Sequence, residues 1–228
     1  MACSSVIGLV ILSPEQWQKH YDAPIKIDFY LRQLAVLKQQ LAALNIPLIV
    51  KTIDLWKDIP DFIYTVMNAL RINSIHANIE CGVNELHRDF AVQQQLNQHR
   101  QDLILHHDRN IFPAGSIRNK SKMPYQVFSA FKKYCYEQLS LSIPQCYPVP
   151  EKQPAIPQLP IQTETIPSLE HIFKASSNTS AQIDSTAWPI SEQYALNVLD
   201  ELLQIASGII RPNVTSLILL QPVSFQPI

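Results

Sequence analysis

In the stretch HANIECGVNELHRDF, residues 76–90, a glycine, an amide and a carboxylate stand together as Gly82, Asn84 and Glu85. The chain holds only 4 glycines, so one placed between an apolar run and a helix-like run marks a strand-to-helix turn. A helix start offers unpaired N–H donors and a positive end. A carboxylate there can accept paired N–H bonds, and an amide can both donate and accept. A ligand pocket could be built from such groups. The plainer reading is that Asn84 caps the helix while Glu85 complements its dipole. A phosphate loop would need GxGxxG or GxxxxGK[ST], and neither occurs. Spacing alone leaves the cap and the pocket both open.

Other chemistries find less support. His106 and His107 adjoin Asp108, but neighbours on a strand point to opposite faces and do not readily share one ion. His76, His87 and His99 follow no zinc spacing, so they read as solvated or core histidines. No GxSxG elbow is present. Cys3, Cys81, Cys135 and Cys146 form no CxxC and read as reduced thiols of a cytoplasmic protein. A net charge of −1 gives this segment no electrostatic case for strong DNA or membrane binding. Arg118, Lys120, Lys122, Lys132 and Lys133 read as solvated faces. Tyr125, Phe128, Phe131 and Tyr134 recur at three-residue steps, and burial of one helix face in the core accounts for them.

The elements that must position these groups follow from apolar periodicity. Val6 to Leu12 is almost wholly apolar but lacks a basic flank and is too short to span a bilayer. It fits a buried parallel strand. A loop bounded by prolines follows, from Ser13 to Pro24. Ile27, Leu31, Leu34, Leu37, Leu41 and Leu44 then recur at helical spacing, with Asn45 as the stop. Further strands are expected from Ile46, from Ser74 to Ile79, and from Asp102 to Phe112. Further helices are expected at residues 59–73, 84–99 and 124–140. Strands alternating with helices predict an α/β fold: a doubly wound, Rossmann-like parallel sheet with helices on both faces.

Composition changes at Ile143, where seven prolines fall within residues 143–168. Such a segment favours extended backbone and reads as a linker over the surface; the polar SSNTS run continues it. An amphipathic helix follows Trp188, with Ser191 as its cap and Gly208 as its stop. The last twenty residues show no helical period. The expected organisation is thus an α/β domain over residues 1–142, a linker over 143–187, a helix over 188–207 and an aberrant or disordered tail over 208–228.

Together LSPEQWQKH, NIECGVNELHRD and FPAGSI…MPYQVFSAFKK resemble the N-terminal antenna domain of the DNA photolyase and cryptochrome family. The resemblance is to bacterial, folate-type photolyases acting on cyclobutane pyrimidine dimers, and it covers roughly residues 1–205. It implies an antenna of 5,10-methenyltetrahydrofolate lined by His20, Asn84 and Glu85, with no catalytic residue and no metal in this segment. The antenna would pass excitation energy to a reduced flavin, FAD, which would split the dimer in DNA. The resemblance also implies departures at both ends. A preceding strand, central in the family's sheet, has no counterpart, and its absence should expose apolar surface and unpaired backbone. The helical domain that would hold FAD has no counterpart either. Thr215 and Ser216 only echo the family's phosphate-binding run. Repair by this chain alone is therefore not expected. A cryptochrome-like photosensory fragment and an unrelated nucleotide-binding α/β module are the alternative readings.

Overall fold

The computed structural model describes residues 5–143, 147–173 and 184–209. Cys3, Cys146, the SSNTS run, Thr215, Ser216 and nearly all of the expected tail lie outside the described residues. The chain forms two compact units, Met1–Asp22 with Leu37–Ile166, and Ala23–Val36 with Pro167–Ile228.

Strand β1 (Gly8–Leu12) leads into helix α1 (Pro14–Lys19), and helix α2 (Pro24–Ala43) precedes strand β2 (Leu48–Thr52). A 3-10 turn (Trp56–Asp58) opens helix α3 (Ile59–Leu70). Strand β3 (Ser74–Asn78), helix α4 (Val83–Gln98), strand β4 (Asp102–His106) and helix α5 (Phe128–Leu141) complete the first unit. The expected elements are in place, but the strand expected from Asp102 to Phe112 is cut short at His106, and residues 107–112 pair with no strand among the described residues. The Ser13–Pro24 loop is a correction, because it contains α1. Pro14 stands in the first turn of that helix, where its missing N–H costs nothing, and Glu15 and Lys19 suit the two ends of the dipole.

All strand pairing is parallel, in keeping with the α/β class. The strands do not form one continuous sheet, however. β1 pairs with β2 from Gly8↔Leu48 to Leu12↔Thr52, and β3 pairs with β4 from Ser74↔Asp102 to Asn78↔His106. No ladder joins β1 to β3 among the described residues. The difference shows in burial. Leu48, Ile49 and Val50 of β2 are buried, whereas Leu9, Val10 and Ile11 of the equally apolar β1 are only half-buried.

Helices α3 and α4 pack together through Ile59, Ile63, Met67, Val92 and Leu96, against which Ile11, Ile75 and Leu103 of the strands rest. The apolar stripe of α3 is what sequence periodicity marks, and Pro60 sits in its first turn. Arg71 ends α3 with a left-handed φ of 53°, and the Ile72 N–H returns to the Met67 carbonyl.

The proline-rich segment is tied down at two places. Gln153 accepts from the Val6 N–H at 2.7 Å and donates to the carbonyls of Val6 and Asn45, each at 2.9 Å. Thr163 and Glu164 cover the outer edge of β2: Thr163 Oγ1 accepts from the Val50 N–H at 2.9 Å and the Glu164 N–H donates to the Val50 carbonyl at 2.8 Å. Proline removes donors from such a segment, so the residues between prolines supply the bonds.

The aromatic helix face is a second correction. α5 starts at Phe128 and has no buried residue. Phe128 is 74% exposed and Phe131 38%. The rings pack on one another, with Tyr125 at 6.3 Å from Phe131 and 5.8 Å from Tyr134. With Ile111, Phe112 and Ile117, Phe128 and Phe131 line an open hollow of about 680 Å³. Periodicity identifies an apolar face but not whether anything covers it.

In the second unit, Ile27, Leu31 and Leu34 of α2 are buried, as is Ile172 of the short helix α6 (Leu169–Ile172). Asp28 pairs with Arg32 at 2.7 Å, and Arg32 Nη1 donates to the Trp188 carbonyl at 3.1 Å. Helix α7 (Glu192–Ile209) is capped as expected, the Tyr194 N–H donating to Ser191 Oγ at 3.2 Å. It takes in Gly208, expected as its stop.

Candidate functional site

The carboxyl ends of parallel strands, where chains turn into helices, are where open α/β sheets bind ligands. In the first unit those ends lead from β1 into α1, from β2 toward Trp56, from β3 toward α4, and from β4 toward Arg109.

His20 closes α1. Its Nε2 lies 2.9 Å from Gln16 Nε2, a nitrogen that can only donate, so the imidazole accepts there. The ring meets Trp56 edge-on at 5.2 Å. A second neighbour of that indole is Arg88, whose guanidinium carbon stands 4.9 Å from the ring centroid. Trp56 therefore links the end of α1 to the first half of α4.

Arg88 is held in place by carboxylates. It pairs with Asp89 at 2.7 Å and with Glu80 at 3.1 Å, while Arg109 takes the other Glu80 oxygen at 2.6 Å. Two arginines and two acids make this network neutral. Asn78 also donates to Asp108 across the ends of β3 and β4.

Asn84 and Glu85 stand outside the network, in the first turn of α4. The N-cap is Gly82, with extended backbone and no side-chain cap bond, so the expectation that Asn84 caps the helix is corrected. Asn84 is already helical, and its side chain is exposed. The Glu85 carboxylate folds back over Gly82, where a side chain would begin. This is where an acid at the third helical position sits when it reaches toward the cap residue. Neither side chain makes a hydrogen bond or ion pair with another described residue. Asn84 and Glu85 are adjacent on one turn, whereas His20 contacts Gln16 and Trp56.

Sequence reasoning missed Trp56, Glu80, Arg88 and Arg109. The Glu80 and Arg88 pair flanks the Gly82 turn within the same stretch, eight residues apart. An acid and a base that straddle a strand-to-helix turn are the signal that was available.

No group of three or more metal-ligating residues occurs among the described residues. His76 and His106, both exposed, stack at 5.1 Å with their nitrogens 2.8 Å apart, and His99 stacks on Tyr64 at 3.9 Å. Cys81 and Cys135 are free thiols. No helix among the described residues is long and apolar enough to cross a membrane.

Residues 1–155 match the family described as DNA photolyase. The chain is 29% identical over 197 residues to a deoxyribodipyrimidine photo-lyase of Buchnera aphidicola, an alignment covering 85% of this chain and 38% of that protein. It is 33% identical over 128 residues to the enzyme of the same name from Vibrio cholerae, covering 56% and 27%. The chain thus spans roughly a third of the length of these relatives. A solved bacterial class III photolyase from Agrobacterium tumefaciens superposes with a TM-score of 0.61 over 88% of this chain and 39% of that one, at 18% identity, and so shares the fold. A family match over residues 1–155, on a parallel α/β unit with its polar groups gathered at the strand ends, shows that the chain belongs to the DNA photolyase family.

Proposed function

We propose that this chain is the light-harvesting part of a deoxyribodipyrimidine photolyase and holds a reduced folate, 5,10-methenyltetrahydrofolate, at the first turn of α4. The observation that carries the reading is the placing of Asn84 and Glu85 side by side at a strand end, without hydrogen-bond or ion-pair partners among the described residues, beside a charge network that is already neutral. Glu85 is left as the anion able to accept two N–H bonds from the edge of a pterin. Asn84 supplies a donor and an acceptor beside it. His20, edge-on to Trp56, contributes a polar ring at the end of α1.

The residues present fit such a group. When bound, it absorbs near-ultraviolet or blue light and passes on the excitation. The side chains of this chain bind and orient; none moves a proton or forms a bond. Cleavage of pyrimidine dimers in DNA, and FAD, belong to the whole family protein, and we assign neither to this segment. Its near-zero net charge argues for weak DNA binding by the segment itself. The free thiols Cys81 and Cys135 suit a reducing, cytoplasmic setting.

Titration of the purified chain with 5,10-methenyltetrahydrofolate, followed by the near-ultraviolet absorption of the bound chromophore, tests the reading. Binding that weakens about tenfold or more in Glu85→Ala is expected, since a charged hydrogen bond contributes on the order of 1.5–3 kcal/mol. Saturable binding that is indifferent to Glu85 and Asn84 would remove the site, and no binding would remove the proposal.

A further inference from the structure

His76 and His106 lie 30 residues apart along the chain, so no ligand spacing marks them as a pair. The β3–β4 ladder brings them together. In its parallel register His76 stands opposite Ile104, and Asn78 opposite His106. The two histidines are therefore diagonal neighbours on one face, because residues two apart on a strand share a face. His107 lies beyond the end of β4.

His76 Nδ1 is 2.8 Å from His106 Nε2, and the two rings are 13° from parallel. One of these nitrogens carries the hydrogen between them and the other accepts it. Neither ring's outer nitrogen hydrogen-bonds to another described residue. Both side chains are exposed. The donor ring can thus shift its hydrogen to its outer nitrogen without losing another protein contact. Two bare nitrogens then face each other.

Distance selects what such a pair can hold. Metal–imidazole bonds of about 2.0–2.1 Å set at a right angle place the two nitrogens about 2.9 Å apart. A tetrahedral angle requires about 3.3 Å. The observed 2.8 Å matches the right angle, which belongs to nickel(II) and copper(II). Rotation of an imidazole about its Cβ–Cγ bond has broad minima, so exposed rings can aim both lone pairs at one ion. Asp108, held by Asn78 across the strand ends, adds a negative charge two residues from His106.

We propose that His76 and His106 form an open two-imidazole site for a divalent late transition metal, nickel or copper. No third metal-ligating residue joins them among the described residues. The other coordination positions therefore face solvent, and water or the donors of a small chelating molecule fill them. Because the ligands come from two strands, the ion ties β3 to β4 and stabilises the fold by mass action. The proposal is independent of the folate reading, since His20, Asn84 and Glu85 take no part in it.

The test uses the full chain and nickel(II) iminodiacetate, a chelate with open coordination positions and a metal that free thiols do not reduce. Calorimetric titration and NMR broadening of the imidazole signals are the readouts. One equivalent should bind and broaden the signals of both His76 and His106. His76→Ala and His106→Ala should each weaken binding about tenfold or more, because two linked donors act together. His107→Ala should bind like the unaltered chain. The chelate should raise the melting temperature of the unaltered chain and of neither single variant. Both replacements fall at exposed positions, and matching circular dichroism of the metal-free variants separates loss of a ligand from loss of fold. Affinity that survives either replacement, or falls with only one, places the metal on a lone imidazole and overturns the proposal. Absence of binding overturns it as well.

Discussion

The carboxylate of Glu85 lies where a side chain on Gly82 would begin: a Cβ at Gly82 would stand 2.0 Å from Oε2 and 2.7 Å from Cδ. The glycine is there for room, since its φ of −71° suits any residue. Gly82→Ala should therefore swing the flexible end of Glu85 aside without straining the backbone. Thermal stability should hold or rise by up to about 1 kcal/mol, because alanine narrows the unfolded ensemble. Folate affinity should fall toward that of Glu85→Ala. A melting curve and an absorbance titration on the same sample separate the two effects, and unchanged affinity would show that the position of Glu85 does not matter.

Gln153 binds the backbone of Val6 and Asn45 through three side-chain hydrogen bonds. Gln153→Ala should cost about 1–3 kcal/mol, the range for stranding part of such a set. A lowered urea midpoint with an unchanged slope would register it, whereas no change would mean that water replaces the amide freely.

Glu164 carries a pH signature. Partial burial pushes its carboxyl upward, but hydrogen bonds from Thr52 and Lys51, together with the Lys51 charge, outweigh this and hold it below the usual carboxylate range. A group with a lowered folded-state pKa stabilises the fold above its unfolded pKa, and that contribution is lost as pH falls through the folded value. Acidification should free residues 163–164 from β2, seen as faster exchange at Thr52. Glu164→Gln should flatten the acid side of the stability profile while changing little at low pH. Identical profiles for the two proteins would show that the clamp does not titrate.

Leu96 is fully buried between α3 and α4, in contact with the core cluster. Leu96→Ala should cost about 2–5 kcal/mol, the range for a buried leucine truncated in a core that collapses only partly. Leu199→Ala on the exposed face of α7 should stay within about 0.5 kcal/mol by the same denaturation measurement.

Asp89→Asn removes the negative charge that faces Arg88. Oδ1 loses part of its attraction to Arg88, but Oδ2, buried without a hydrogen-bond partner, becomes an amide donor or acceptor of similar size. The variant should fold with a stability change of no more than about 1–3 kcal/mol in either direction. A larger loss in calorimetry would mean that the pair with Arg88 outweighs the unpartnered oxygen.

Much of this molecule is legible along the chain. Apolar runs and helical periods locate all four strands and the longer helices. Gly82 marks the turn beneath Asn84 and Glu85, and Ser191 marks the start of α7. These are local properties, fixed by backbone and side-chain preferences over a few residues. What the tertiary structure decides depends on partners far apart in sequence. The pairing of Glu80 with Arg109 and the meeting of His20 with Trp56 require strand ends and helices to be brought together first. The exposure of Phe128 and the half-burial of Leu9, Val10 and Ile11 depend on whether a neighbour covers an apolar face. Periodicity says which side of an element avoids water. Only packing says what, if anything, lies against it.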